Sequence, residues 1–166
     1  MIVFKKAAEK VKNSLTKFSF GSSSAIITNL ALMAGLHSSV NAKASIIGGI
    51  LIIALADNIS DSFGIHIFQE CENVKTHEVW MSTMMNFISR VIVSLSFVLL
   101  MLLLPLQAAI MASIVWGLLL LAWISYIIAR YDGTSVVSSI VTHIVIAVSV
   151  IILSNITGDF LIRSFK

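Results

Sequence analysis

Two carboxylates stand in an otherwise uncharged stretch of the chain. Asp57 and Asp61 are four residues apart, and no Lys or Arg lies between Lys43 and Lys75. On a helix this spacing places both acids on one face, one turn apart. A carboxylate at membrane depth is costly, so it normally faces the interior of a helix bundle or a water-filled path. The pattern favours an ion pathway. The structural alternative is a pair of protonated acids that hydrogen-bond to neighbouring helices.

Other polar side chains extend this candidate pathway. His66 and Glu70 have the (i, i+4) spacing of a metal-binding pair on a helix. Alternatively, the same residues form an acidic funnel at a pore mouth, which raises the local cation concentration and needs no tight metal-binding site. Asn29 is either an ion ligand or an interhelical hydrogen-bond partner. His143 either shuttles protons, binds one of the two aspartates across the bundle, or is a hydrogen-bonded core histidine.

The composition indicates where these residues lie. The chain has 166 residues, of which 58% are hydrophobic and 11% are charged, and its mean hydropathy is +1.00. Soluble domains are about a quarter charged, so we expect a helical protein with its core in lipid. The net charge of +3 comes mainly from a Lys-rich N-terminus and does not indicate nucleic-acid binding. The single cysteine excludes an internal disulfide framework, and we expect no cleavable signal peptide.

Periodicity and hydropathy predict an all-α membrane protein with five transmembrane helices in each protomer. Residues 1–20 have an apolar stripe flanked by lysines, which predicts an amphipathic helix on an anionic membrane surface. A solvated helix packed on the protein is the alternative. Residues 21–166 form a single transmembrane domain. Its predicted spans are residues 22–40, 44–68, 87–104, 108–129 and 136–156.

The distribution of basic residues predicts the orientation. Five spans place the two termini on opposite sides of the membrane. With the N-terminus in the cytoplasm, eight Lys and Arg residues are cytoplasmic and three are outside, which agrees with the positive-inside rule. Residues 66–78 then lie at the cytoplasmic mouth. Arg90 lies near the start of the predicted third span, so we expect it to snorkel to the membrane interface.

Three segments resemble the vacuolar iron transporter family. Residues 24–36, SAIITNLALMAGL, resemble the family's first-helix pattern. Residues 54–64, ALADNISDSFG, are similar to its second helix, where small residues precede Ser, a metal-contacting Met and Gly. The ending, from Asp132-Gly133 through His143 to residues 158–160, is similar to the last helix of the short prokaryotic members.

The resemblance implies a homodimer in a prokaryotic cytoplasmic membrane, with a translocation path on the dimer axis lined by the first two helices. It also implies export of Fe²⁺ or a similar divalent cation from the cytosol in exchange for protons. The chain departs from the family in three places. Ser24 replaces the first-helix Asp, Asp61 replaces the second-helix Met, and only residues 71–81 remain of the cytoplasmic metal-binding hairpin.

These features together predict a transporter for a divalent cation of the Fe²⁺ or Mn²⁺ class. Asp57 and Asp61 would bind the ion, and Asn29 and Ser24 would add neutral oxygens. Exchange of a thioether for a carboxylate favours harder ions such as Mn²⁺. We find no nucleophile–base constellation, so we expect neither an enzyme nor a bound cofactor. The alternative is a non-transporting partner-binding or assembly protein. In that case Asp57, Asp61, His143 and Asn155 are buried pairs that hold the bundle together.

Overall fold

The apolar segments of the sequence fold into long helices joined by short connections. The computed structural model describes Ser19 and residues 21–165. This part of the chain contains no β-strand. The helices, named α1 to α5 in chain order, are Gly21–Leu36, Ala42–Cys71, Thr76–Leu103, Leu106–Asp132 and Val136–Ser164.

Four of these helices, α2 to α5, are long and apolar enough to cross a membrane. The shortest of them has 27 residues, which at about 1.5 Å per residue covers roughly 40 Å. A bilayer has a hydrocarbon core of about 30 Å, so each can span it. Helix α1 is also apolar but shorter over the described residues. The predicted class, an all-α integral membrane protein, is confirmed.

The turns occur at residues that stop a helix. Asn41 and Asn73 follow α1 and α2 with φ of 57° and 56°, a left-handed conformation that asparagine tolerates better than most residues. Pro105 separates α3 from α4, and Gly133 ends α4 with φ of 68°. Because the connections are short, consecutive helices run antiparallel beside one another.

The helix boundaries differ from the predicted spans. Helix α1 ends at Leu36, whereas the predicted span continued to residue 40. Helix α3 begins at Thr76, well before the predicted residue 87, because its polar first turns pack against α2 instead of forming a loop. Helix α5 continues to Ser164. The predicted amphipathic helix at residues 1–20 lies outside the described residues, apart from Ser19.

Helix α2 contains one π-helical turn. This turn covers Ile53–Asp57, and regular α-helix resumes at Asn58. A π-turn holds one more residue than an α-turn, so it shifts the register of the side chains that follow. Such turns occur frequently at functional sites. Here the π-turn ends at Asp57, the first residue of the aspartate pair.

Helix α3 is the central element and has two different halves. In its second half, Phe97 and Met101 are fully buried in an apolar core with Ile26, Leu30 and Ile46. The part before Phe97 buries mainly polar side chains, namely Ser82, Thr83, Asn86, Ser89, Arg90 and Ser94. The outer surface of the bundle is apolar, and α5 buries only Ala147 and Gly158. An apolar exterior around a partly polar interior suits a lipid solvent.

Candidate functional site

The midpoints of α2 and α3 bring opposite charges together. Asp57 lies at the middle of the 30-residue α2, and Arg90 lies at the middle of the 28-residue α3. At one end of this antiparallel pair, Lys43 Nζ donates a hydrogen bond of 3.0 Å to the Leu104 carbonyl oxygen. Asp57 and Arg90 each lie 14 residues from that contact, which is roughly 21 Å at about 1.5 Å per residue. This is about half the length of either helix, so both charges fall within a hydrocarbon core of about 30 Å.

The guanidinium of Arg90 is held by one turn of α2. Its Nε donates to Asn58 Oδ1 at 2.7 Å, and its Nη2 donates to Asp57 Oδ2 at 2.9 Å. Nη1 lies 2.7 Å from Asp61 Oδ2, an ion pair that lacks the alignment of a hydrogen bond. Arg90 has no exposed surface. Because arginine stays protonated in proteins, a position this deeply buried requires anionic partners.

The expectation that Arg90 snorkels to the interface is therefore wrong. It rested on a third span that started at residue 87, whereas α3 starts at Thr76 and places Arg90 at mid-helix. The sequence did contain a signal. Arg90 is the only Lys or Arg between Lys75 and Arg130, and Asp57 and Asp61 are the only acids between Glu9 and Glu70. Isolated opposite charges in neighbouring apolar segments indicate a pair within the membrane.

The two aspartates share a face, as their spacing predicted, and both are half exposed in the single chain. In each case, 44% of the side-chain surface is accessible to solvent, relative to a fully exposed side chain. Two carboxylates and one guanidinium leave one net negative charge at this level of the bundle. Ser60 and Gly64 lie on the same exposed face, and a Cβ atom built at Gly64 would meet nothing within 4 Å. This face can therefore receive an ion or a second protein surface.

A ladder of buried polar contacts joins α2 to α3 on the inner side of the aspartates. Asn58, Ser62 and His66 succeed one another at (i, i+4) on α2, and all three are buried. Asn58 accepts from Arg90, and Ser62 accepts a 2.9 Å hydrogen bond from Asn86 Nδ2. Each of these three polar residues of α2 thus contacts a polar residue of α3. The ladder fixes the register of the two helices and continues the polar layer from mid-depth to the end of α2.

His66 terminates this ladder. Its Nδ1 lies 3.0 Å from Thr83 Oγ1, and its Nε2 lies 3.3 Å from Glu70 Oε1. Trp80 packs edge-on against the imidazole, with ring centroids 4.6 Å apart. The predicted His66–Glu70 pair is thus in contact, but both imidazole nitrogens already have protein partners. Among the described residues, no group of three or more His, Cys, Asp or Glu side chains is arranged to hold a metal ion.

The neutral candidates on α1 have separate environments. Asn29 is fully buried and donates through Nδ2 to Ser94 Oγ at 3.0 Å, which joins α1 to α3. The interhelical role considered for Asn29 is therefore confirmed. Its Oδ1 is buried with no hydrogen-bond partner among the described residues. Ser24 is half buried. The idea that either residue is an ion ligand stays a prediction.

His143 does not bind the aspartates. Its Nδ1 lies 2.7 Å from Ser125 Oγ, so it joins α5 to α4. Ser125 is buried and donates its own proton to the Leu121 carbonyl oxygen at 2.6 Å. The hydroxyl therefore accepts from His143, which is the hydrogen-bonded role considered for this residue. A role of His143 in proton transfer stays a prediction. No ion pair or hydrogen bond of the described residues links His143 to Asp57 or Asp61.

No family model, curated protein or solved structure matches the chain. The resemblance to the vacuolar iron transporter family therefore rests on the sequence segments quoted above. The contacts of Arg90 with Asp57, Asn58 and Asp61, here called the Arg90 cluster, do not depend on that resemblance.

Proposed function

We propose that the protein is a homodimeric membrane transporter for a divalent metal cation of the Fe²⁺ or Mn²⁺ class. The observation that supports this most is the half-exposed pair of aspartates at mid-depth, with a residual negative charge that Arg90 does not neutralise. A net charge facing lipid is costly, by a few kcal/mol or more. A second copy that covers this face removes that cost and creates a polar lumen between the two protomers.

The face of α2 beside the aspartates suits close packing with a second copy. Ala56, Ser60 and Gly64 lie on it at (i, i+4) spacing, and all three are exposed in the single chain. Small residues let helix backbones approach closely in membranes, where packing drives helix association. A twofold axis along this face would bring four carboxylates and two guanidiniums together.

The chemistry of the site favours hard or borderline cations. The anionic groups of the site are the carboxylates of Asp57 and Asp61, and Ser60 lies on the same exposed face of α2; no cysteine or methionine is among the contacts of Arg90. Oxygen ligands suit Mn²⁺, Mg²⁺ and Ca²⁺, and Fe²⁺ also accepts them. The two protomers together carry two net negative charges, which one divalent cation neutralises.

Orientation with the N-terminus in the cytoplasm is part of the proposal. Since Arg90 lies inside the bundle, seven basic residues remain on the N-terminal side, against three on the other. The positive-inside bias keeps its direction. It places His66 and Glu70 at the cytoplasmic end of the path.

Metal flux into proteoliposomes tests the proposal. The purified protein is reconstituted, and Mn²⁺ entry is followed by quenching of an enclosed dye. Asp61→Asn should reduce flux by at least about tenfold, which corresponds to about 1.4 kcal/mol or more. Glu72→Gln, at the exposed end of α2, removes a carboxylate outside the cluster and should transport normally. Equal flux in Asp61→Asn and wild type would contradict the proposal.

One observation favours the second candidate, a non-transporting assembly or partner-binding protein. Arg90 pairs with both aspartates, and buried ion pairs can fix how helices fit together without moving ions. This candidate predicts no Mn²⁺ flux above that of protein-free liposomes. It also predicts that joint replacement of all three charges by Asn, Asn and Gln weakens the fold or the dimer without any change in ion flux, so flux and stability measured on one sample separate the candidates.

A further inference from the structure

Among the residues that the structure describes, the charges near the middle of the helices come from Asp57, Asp61 and Arg90. Helix α1 has no charged residue, and α4 has none before Arg130. Helix α5 has none before Asp159 apart from His143, which bonds to Ser125. On α2, Lys43 and Glu70 lie at the helix ends. The electrostatics of the site therefore depend on the ratio of aspartates to Arg90.

Arg90 is a fixed part of this site. Its Nε is bonded to Asn58, and Asn58 Nδ2 in turn donates to the Ala54 carbonyl oxygen at 3.0 Å within α2. The side chain is fully buried, with no surface exposed in the single chain. An arginine also cannot give up its proton under physiological conditions. The positive charge is therefore permanent in both position and sign.

We infer that Arg90 is the residue that sets the valence preference of the transport site. This rests on the proposed function and its dimer. With Arg90 present, the four aspartates of a dimer keep two net negative charges, which match one divalent cation. Without Arg90 they would keep four, and a trivalent cation would gain more than a divalent one, because Coulomb energy scales with the product of the charges. Arg90 thus acts as a specificity-determining residue that touches the ligands and not the ion.

Binding of Mn²⁺ and Gd³⁺ to the purified full-length protein tests this inference. The two affinities are measured by calorimetry for each variant, and their ratio is compared with that of the wild type. Arg90→Gln should raise the Gd³⁺-to-Mn²⁺ ratio by at least about tenfold, equal to about 1.4 kcal/mol. Arg90→Lys keeps the charge and should keep the wild-type ratio. A ratio that is the same in Arg90→Gln and wild type would overturn the inference.

A second comparison does not depend on the folding of Arg90→Gln. Asp61→Asn removes the net negative charge of each protomer and should lose Mn²⁺ binding. Asp61→Asn combined with Arg90→Gln restores one negative charge to each protomer and should recover both Mn²⁺ binding and the wild-type ratio. A purely structural role of Arg90 predicts no such recovery of binding, and its absence would count against the inference.

The outcomes also separate this inference from the proposed function. Mn²⁺ binding that is lost in Asp61→Asn but has the same valence preference in every Arg90 variant would overturn the role of Arg90 alone. Mn²⁺ binding that Asp61→Asn leaves intact, or no Mn²⁺ binding by the wild type, would overturn both.

Discussion

Arg90 and Asp61 lie on different helices, and their Nη1 and Oδ2 atoms are 2.7 Å apart. The same guanidinium also contacts Asp57 and Asn58, so one residue of α3 meets one full turn of α2. A slip of one residue between the helices would separate these partners and leave a buried charge unpaired. The contact therefore fixes the register of α2 and α3 and, with it, the depth of the aspartates.

Removal of the guanidinium should destabilise the fold. Arg90→Met leaves Asn58 Oδ1 without its donor and leaves both aspartates without a counter-charge. Loss of one partner of a buried ion pair typically costs about 3 kcal/mol or more, and we expect a clear fall in the thermal midpoint of the detergent-solubilised protein. Arg130→Met, at the exposed end of α4, removes the same type of charge and serves as the control. If both variants melt alike, Arg90 does not lock the register.

The contact between His66 and Thr83 should contribute measurably to stability. Thr83→Val keeps the shape of the side chain and removes the hydroxyl that lies 3.0 Å from Nδ1. A buried hydrogen bond is worth about 1 kcal/mol net, so we expect a modest fall in the free energy of unfolding. A double-mutant cycle with His66→Phe isolates the pair term. Additive effects of the two substitutions would mean that the contact is not energetically coupled.

The sequence predicted those features that depend on local periodicity. The aspartates share a face because (i, i+4) spacing requires it on any helix, and the apolar runs identified the membrane class. The start of α3 was missed because Thr76, His77 and Glu78 read as loop residues in a hydropathy profile. Their helix is stabilised by the polar side of α2, and a single segment carries no information about its partner.

Pairing between helices could not be predicted in the same way. His143 had two candidate partners, and its own segment does not say which helix lies beside α5. The contact with Ser125 follows from tertiary packing. The π-turn at Ile53–Asp57 likewise has no local signal, because isoleucine, alanine and leucine fit an ordinary α-turn equally well. Arg90 was visible as an isolated charge, and only the position of α3 showed that it faces inward.

The crossing of α1 and α5 should tolerate no side chain at Gly158. A Cβ atom built there would overlap the carbonyl oxygen of Gly35, a backbone atom that cannot rotate away. Gly158→Ala should therefore separate the two helices and lower the thermal midpoint. Gly117→Ala is the matched control, because its Cβ would meet the end of the Leu30 side chain, which can change rotamer. Equal midpoints for the two variants would contradict this account of the crossing.

The exposed face of α2 should reveal the second copy. A Cβ atom at Gly64 would meet nothing within 4 Å beyond its own helix turn, and the position is exposed, so Gly64→Phe should leave the protomer fold intact. In the proposed dimer the same phenyl ring would enter a close helix contact and push the two backbones apart. We therefore expect Gly64→Phe to shift the detergent-solubilised protein from dimer to monomer in size-exclusion chromatography with light scattering. Val115→Phe adds the same ring to the exposed surface of α4, where lipid accommodates it, and should remain dimeric. A Gly64→Phe variant that stays dimeric would place the second copy on another face, and the half-exposed aspartates would then require a different cover.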